Sequence, residues 1–279
     1  MYKITKKQVL NDFVSLIEVE APYVARHAKP GQFIILRTDE NGERIPLTVA
    51  GVNKETGEVR VIYQKVGAST MLLDTFSEGD CLADFAGPLG TPSKVENIGT
   101  VCIVAGGLGV AIALPQAKAF KDAGSEVDFI VGFRNKGLII LQDEFAAACD
   151  DLTIMTDDGS NGNKGFVTEA LREKLESGKR YDEVIAIGPV PMMKAVSELT
   201  RPYGIKTTVS MNSVMIDGTG MCGGCRVTVG GETKFACVDG PDFDGHLVDF
   251  DGAMRRGRMY SGEEKQATEH VCRLMGGTH

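Results

Sequence analysis

Cys222, Cys225 and Cys237 carry the strongest chemical signal in the sequence. The stretch MIDGTGMCGGC, residues 215–225, holds a C-x2-C pair, and a third cysteine follows after eleven residues in KFAC. Three thiolates at this spacing read as metal ligands that need a fourth. Plant-type iron–sulfur centres use C-x4-C-x2-C with a more distant last cysteine. Counting back five residues from Cys222 reaches Asp217, so DGTGMCGGC fits that pattern with a carboxylate in the first cysteine's place. Gly218, Gly220, Gly223 and Gly224 suit a loop that wraps closely round a cluster and points N–H groups at its sulfurs. The alternatives are a Cys3Asp zinc site, unliganded thiols, and an Asx turn in which Asp217 merely caps the loop before Gly218. A carboxylate is a harder donor than a thiolate, so ligation by Asp217 would favour ferric iron and alter the potential of a cluster.

Four further stretches read as candidate ligand-binding segments. In RIPLT, Arg44 stands three residues before Leu47 and four before Thr48 on an outgoing strand. VGAST sets Gly67, Ala68, Ser69 and Thr70 at a turn into a helix, where backbone N–H groups can hold a phosphate. VAGGLGVA follows a buried strand, and Gly106, Gly107 and Gly109 let the backbone approach a pyrophosphate at the positive end of a helix. The third glycine of the full dinucleotide fingerprint is replaced by Ile112. IGPVPM, with Gly188, Pro189, Pro191 and Met192, adds a second tight loop after a later apolar strand. Steric packing alone also accounts for such glycines, and an exposed strand arginine with a serine-rich helix cap would account for RIPLT and VGAST.

These residues need elements to position them. Residues 1–97 hold short alternating strands, among them SLIEVEA, QFIILRTD, IPLTVAGV, EVRVIYQKV and CLADFAGP, which predict a small antiparallel β-barrel. Residues 98–210 change character: TVCIVAG is a continuous apolar run, and strands then alternate with helical stretches such as VAIALPQAKAFKDAG and FVTEALREKLESG. That is the signature of a doubly wound parallel α/β domain. Residues 211–279 are glycine-rich and irregular, hold the cysteines, and end in a charged stretch that predicts a terminal helix.

The 279 residues suffice for two domains and a small third, and 43% apolar residues are ample for buried cores. A net charge of -8 argues against nucleic acid or an anionic membrane as the main partner. The first residues show no apolar leader and no run is long enough to span a membrane, so the expected location is the cytoplasm. An odd set of seven cysteines fits a reducing compartment better than a disulfide framework. Cys81, Cys102, Cys149 and Cys272 are expected as small buried hydrophobes. His27, His246, His270 and His279 form no constellation and are expected at the surface.

Taken together, these motifs resemble the ferredoxin-NADP reductase superfamily, in the order that family uses and over essentially the whole chain. They are most similar to the branch with a C-terminal [2Fe-2S] segment. That branch includes the electron-transfer subunit of dihydroorotate dehydrogenase and the small subunit of NADH-dependent ferredoxin:NADP oxidoreductase, an electron-bifurcating enzyme. The resemblance implies an FAD-binding barrel and an NAD-binding α/β domain. Arg44 would hold an FAD phosphate, Pro46 and Leu47 would line the isoalloxazine, and Thr48 would hydrogen-bond near its N5. Gly67, Ala68, Ser69 and Thr70 would cap the FAD pyrophosphate, and Tyr63 belongs to the same expected set. Gly106, Gly107, Gly109, Gly188, Pro189 and Met192 would hold NAD(H). Ile112 replaces a common proline, and Ile187 replaces a cysteine often found before Gly-Pro. Asp217, with Cys222, Cys225 and Cys237, would ligate the cluster, since the bifurcating branch has aspartate in the first position.

The chemistry so implied is hydride exchange between NAD(H) and FAD, then single-electron transfer through the cluster to a larger subunit. That partner would hold a second FAD, [4Fe-4S] clusters and the NADP(H) and ferredoxin sites. The rivals are a dihydroorotate dehydrogenase electron-transfer subunit and a zinc-stabilised nucleotide-binding module. Arg134 and Lys136 in GFRNKG could receive a 2′-phosphate, so the residues alone leave NADP open, although the resemblance favours NAD.

Overall fold

The computed structural model describes residues 1–274, with side chains as far as residue 270. Strands β1 (Tyr2–Asn11), β2 (Val14–Glu20), β3 (Phe33–Arg37), β4 (Ile45–Asn53), β5 (Glu58–Gln64), β6 (Cys81–Leu82) and β7 (Asp84–Leu89) form one antiparallel sheet, ordered β6-β1-β2-β5-β4-β3-β7. The sheet curls into a nearly closed barrel, with helices α1 (Pro22–His27) and α2 (Ala68–Leu73) in its connections. Alternation dictates the inside: Ile17 and Val19 on β2, Ile34 and Leu36 on β3, and Val59, Val61 and Tyr63 on β5 are all fully buried in one cluster. Each such aliphatic side chain contributes about 1.5–3 kcal/mol by leaving water.

One irregularity matters for the site. β3 pairs with Ile45–Thr48 of β4, but β5 joins β4 only from Val49 onward. The second edge of Ile45–Thr48 therefore takes no strand partner among the described residues. Pro46, which has no N–H to give, is tolerated there.

The second sheet is built from β8 (Thr100–Gly106), β9 (Glu126–Phe133), β10 (Asp151–Thr156), β11 (Glu183–Ile187) and β12 (Lys206–Ser210). Helices α3 (Gly109–Asp122), α4 (Gln142–Ala148), α5 (Val167–Glu176) and α6 (Val190–Thr200) connect them. Adjacent strands are parallel in the order β10-β9-β8-β11-β12. β8 is buried from Val101 to Gly106, with α3 and α5 both packed against it, which is why its sequence does not alternate. The chain reverses its direction of winding between β8 and β11, so a crevice for a ligand opens at their carboxyl ends. Gly106 and Gly188 stand at those two ends.

After β12 come a hairpin of β13 (Arg226–Val229) and β14 (Glu232–Phe235), a short strand β15 (Asp242–Asp244), and helices α7 (Phe250–Gly257) and α8 (Ser261–Leu274). The sequence predicts irregular chain and a terminal helix here. β15 instead returns to the α/β sheet as an antiparallel sixth strand against β12, which covers an edge that would otherwise expose unpaired backbone. α8 packs on α2.

Two mixed cores join the parts. Val14, Leu16, Ala50 and Ile62 on the outer face of the barrel share a cluster with α3 and β8. Phe33 and Ile35 share another with Cys225, Ala236 and Cys237. Cys102 and Cys149 are buried as expected, whereas Cys81 is only half-buried, and the side chain of Cys272 lies outside the described residues. His27 and His270 are exposed, and His279 lies outside the described residues. His246 differs from expectation: β15 brings it against α6, where its Nε2 lies 3.1 Å from the Thr200 hydroxyl and it is half-buried. No helix among the described residues is long and apolar enough to cross a membrane.

Candidate functional site

Residues 216–237 wrap one end of the hairpin and bring four donor side chains to one loop. The Sγ atoms of Cys225 and Cys237 lie 3.2 Å apart, both buried, and the Cys237 N–H donates to Cys225 Sγ at 3.4 Å. Cys222 is exposed, and its sulfur accepts the Gly224 N–H at 3.3 Å. Asp217 Oδ1 accepts from the Thr219 N–H at 2.8 Å and Oδ2 from the Cys222 N–H at 2.7 Å. The Thr219 N–H, followed by the N–H and thiol of Cys222, outweighs a burial penalty and holds the Asp217 carboxyl below the usual aspartate value. Burial, then the neighbouring Cys225 thiol, pushes the Cys237 thiol up.

The donors thus fall into two pairs, Cys225 with Cys237 and Asp217 with Cys222. A two-iron cluster takes its protein ligands in such pairs, and N–H···S bonds of the kind seen at Cys222 and Cys225 tune it. The carboxylate oxygens of Asp217 each accept one N–H and keep a further lone pair for a metal. A turn-capping role and a ligand role for Asp217 are therefore compatible. Among the described residues no three of these side chains converge on one metal position, but three thiols and a carboxylate arranged as two pairs fit the two irons of a [2Fe-2S] cluster.

The barrel motif lies beside this loop. Arg44, just before β4, donates from Nε to the Ile216 carbonyl at 2.9 Å and from Nη2 to the Asp217 carbonyl at 3.4 Å. Pro46, Leu47 and Thr48 are half-buried on the half-paired end of β4. Gly67 has no heavy atom within 4 Å of where a Cβ would sit, so packing does not require glycine there. Thr70 Oγ1 accepts the Val66 and Gly67 N–H groups at 3.2 Å each, and Ser69 donates to Glu43. Helix geometry leaves the N–H groups of Ala68–Thr70 without i−4 acceptors. Tyr63 is different: it is fully buried, and its hydroxyl donates to Asp74 Oδ1 at 3.2 Å, so its side chain is part of the barrel core.

The glycines of the α/β loops divide by cause. A Cβ on Gly109 would sit 2.3 Å from the Ile187 carbonyl oxygen, and one on Gly188 2.9 Å from that of Gly106. These two are needed for packing α3 and the β8 and β11 ends together. A Cβ on Gly106 would meet Met192 Sδ at 2.7 Å. Gly107 has φ +59° with nothing within 4 Å of a Cβ, and it is exposed. Of these glycines, only Gly107 has space over it for a ligand to approach the backbone. Pro189 is exposed at the start of α6, and Met192 is half-buried. Arg134 is exposed after β9, next to Asp158, whose N–H donates to the Arg134 carbonyl at 3.3 Å.

One contact at the site has no counterpart in the sequence patterns. Arg256 on α7 donates from Nη2 to the Gly224 carbonyl at 3.0 Å and so ties the far end of the cysteine loop to the terminal helices. The cluster of Arg255, Arg256 and Arg258 is visible in the sequence, but nothing there points to a partner thirty-two residues away.

Comparison with known proteins bears on this arrangement directly. Residues 212–249 match the iron–sulfur cluster binding domain of dihydroorotate dehydrogenase B, and residues 103–198 match an oxidoreductase NAD-binding domain. A Thermotoga maritima protein described as a homologue of the electron-transfer subunit of dihydroorotate dehydrogenase B (NAD(+)) is 44% identical over 98% of this chain and 96% of its own length. The corresponding subunit from Clostridium perfringens is 34% identical over 88% of this chain and 98% of its own length. The chain belongs to the dihydroorotate dehydrogenase B electron-transfer subunit family. A solved structure of NADH-dependent reduced ferredoxin-NADP oxidoreductase, studied for flavin-based electron bifurcation, matches with a TM-score of 0.92 and 42% identity over 97% of each chain.

This chain carries both an oxidoreductase NAD-binding domain and an iron–sulfur cluster binding domain, on the architecture of that solved structure. Asp217, Cys222, Cys225 and Cys237 all fall inside the iron–sulfur match, and Gly106, Gly107, Gly109, Arg134, Gly188, Pro189 and Met192 inside the NAD-binding match. The zinc-module reading gives way to an iron–sulfur oxidoreductase subunit.

Proposed function

We propose that this chain is the electron-transfer subunit of an NADH-dependent ferredoxin:NADP oxidoreductase that works by flavin-based electron bifurcation. It exchanges a hydride between NAD(H) and FAD and passes single electrons by way of a [2Fe-2S] cluster to a larger subunit. That partner holds the second flavin, the [4Fe-4S] clusters and the NADP(H) and ferredoxin sites, and the complex works in the cytoplasm, where an exposed cluster loop and half-buried Cys81 remain reduced. The observation that carries the reading is the pairing of Asp217 with Cys222 and of Cys225 with Cys237 on a loop bonded to Arg44 of the barrel motif. The 42% identity to the bifurcating oxidoreductase over 97% of both chains supports it over the pyrimidine-pathway alternative.

The bound cofactors supply the hydride and one-electron chemistry, and the protein supplies position and electrostatics. Arg44 offers a guanidinium to an FAD phosphate, and the N–H groups of Ala68, Ser69 and Thr70 offer donors to its pyrophosphate. Pro46 and Leu47 would line the isoalloxazine, and Thr48 would hydrogen-bond near its N5. Gly107 would admit the NADH pyrophosphate to the N-terminal end of α3, and Pro189 and Met192 would belong to the second nucleotide-holding loop. Asp217, Cys222, Cys225 and Cys237 would ligate iron, two of them, Cys225 and Cys237, from buried positions.

The test is the metal and flavin content of the chain isolated without oxygen, together with the protein that accompanies it. About two iron and two sulfide per chain are expected, with FAD and a flavin/[4Fe-4S] partner. Stoichiometric zinc without flavin would contradict the reading. Association with a dihydroorotate-oxidising subunit would move it to the sister activity.

A further inference from the structure

We propose that Arg44 and Gly218 form the joint that seats the cluster loop on the flavin barrel, so that flavin occupancy and the surroundings of the cluster are coupled through one side chain. The inference rests on the reading of the barrel as flavin-binding and of residues 217–237 as cluster-binding. One edge of the Arg44 guanidinium is spent on the loop: Nε holds the Ile216 carbonyl at 2.9 Å and Nη2 the Asp217 carbonyl at 3.4 Å. Nη1 lies 3.9 Å from Asp84 Oδ2, which Arg37 already holds at 2.7 Å. Asp84 is therefore satisfied without Arg44, and Nη1 is the donor left to meet a phosphate. A planar fork can serve the loop and an anion at once, whereas an ammonium acts as a single point donor.

Gly218 makes the other half of the joint. It is buried with φ +77°, and a Cβ there would sit 2.8 Å from Leu89 Cδ1 and 2.9 Å from Ile35 Cγ1. The loop backbone is thus pressed onto β3 and β7 at the residue after Asp217. Asp217 is fixed through its carbonyl by Arg44, through its neighbour by the barrel surface, and through its carboxylate by the Thr219 and Cys222 N–H groups. Arg44 is a positioning residue for the cluster as well as a flavin contact, and a change on either side of it reaches the other.

The experiment compares wild type, Arg44→Lys and Gly218→Ala as full chains loaded with cluster and FAD, by the electron paramagnetic resonance spectrum of the reduced cluster. Each is measured with FAD bound and after reversible FAD removal. In wild type, removal of FAD shifts the g-values. Arg44→Lys shifts them with FAD present and abolishes the response to its removal. Gly218→Ala also shifts the spectrum and, because the coupling is reciprocal, changes FAD affinity although Gly218 lies only on the loop side. If the wild-type spectrum is indifferent to FAD, or Arg44→Lys has the wild-type spectrum and response, the joint does not exist. A wild-type chain with no reducible cluster signal would instead overturn the functional reading on which the joint depends. Should Gly218→Ala fail to fold, wild type and Arg44→Lys decide the matter alone.

Discussion

Cys225 and Cys237 stand with their sulfurs 3.2 Å apart on the buried side of the hairpin, although eleven residues separate them. The β13–β14 register makes this possible: Arg226 pairs with Phe235 and the Ala236 N–H donates to the Cys225 carbonyl, so Cys237, one residue further on, returns to the same end. The other pair, half-buried Asp217 and exposed Cys222, sits on the same loop. The two pairs therefore differ in what they cost to lose. Cys225→Ser and Cys222→Ser should both strip iron from the chain. Only the first should also destabilise the iron-free fold, by about 1 kcal/mol, because it changes a buried thiol. Iron analysis together with urea unfolding of the iron-free proteins checks this.

Asp217→Cys supplies the thiolate that the plant-type spacing calls for. The variant should retain iron and change the midpoint potential of the cluster, since ligand type and net charge both set it. Asp217→Ala should lose iron and also the two N–H bonds that shape the loop. A redox titration that gives the same potential for Asp217→Cys and wild type would remove Asp217 from the ligand set.

The glycines of the first α/β loop should separate by mechanism. Gly109→Ala drives a Cβ into the Ile187 carbonyl and should cost about 1–3 kcal/mol of stability. Gly107→Ala meets no neighbour, so its cost is the left-handed backbone alone, about 1–2 kcal/mol, and its chief effect should be weaker NADH binding. Thermal melts set beside NADH affinity distinguish the two.

Asp74 links α2 to the barrel: the Ser15 hydroxyl donates to it at 2.6 Å, and Lys7 and Lys65 lie at 3.7 and 3.3 Å. Burial alone would raise its pKa, but Ser15 and the two ammonium groups outweigh that and hold the carboxyl below the usual aspartate range. A depressed folded pKa means that the stabilisation is complete above the unfolded value, about 3.9, and is lost as pH falls through the folded one. Asp74→Asn should lower stability at pH 7 and flatten the acid limb of the stability profile below about pH 4. An unchanged acid limb would show that Asp74 is not the group responsible.

Much of this arrangement is legible in the amino-acid sequence. The apolar run of β8 gives the parallel sheet, the alternation in β2, β3 and β5 gives the barrel, and cysteine spacing gives the cluster loop, because each is a local pattern set by one element's burial. What escapes is long-range. Arg44 is 172 residues from the carbonyl it holds at Ile216, and β15 completes an edge that only the assembled sheet exposes. Tyr63 belongs to the FAD set that the resemblance implies, yet strand parity turns its side chain inward onto Asp74. The glycines of VAGGLGVA read alike in sequence, and only the proximity of β11 separates packing at Gly109 from open space at Gly107.

The most direct test of the account is an anaerobic NADH titration of the purified chain, followed by visible absorbance. The flavin bands should bleach while the reddish iron–sulfur absorbance falls with them, which requires a continuous path from nicotinamide to cluster. Flavin bleaching with a cluster band that never responds would break that path, and a chain to which NADH does nothing would contradict the account at its root.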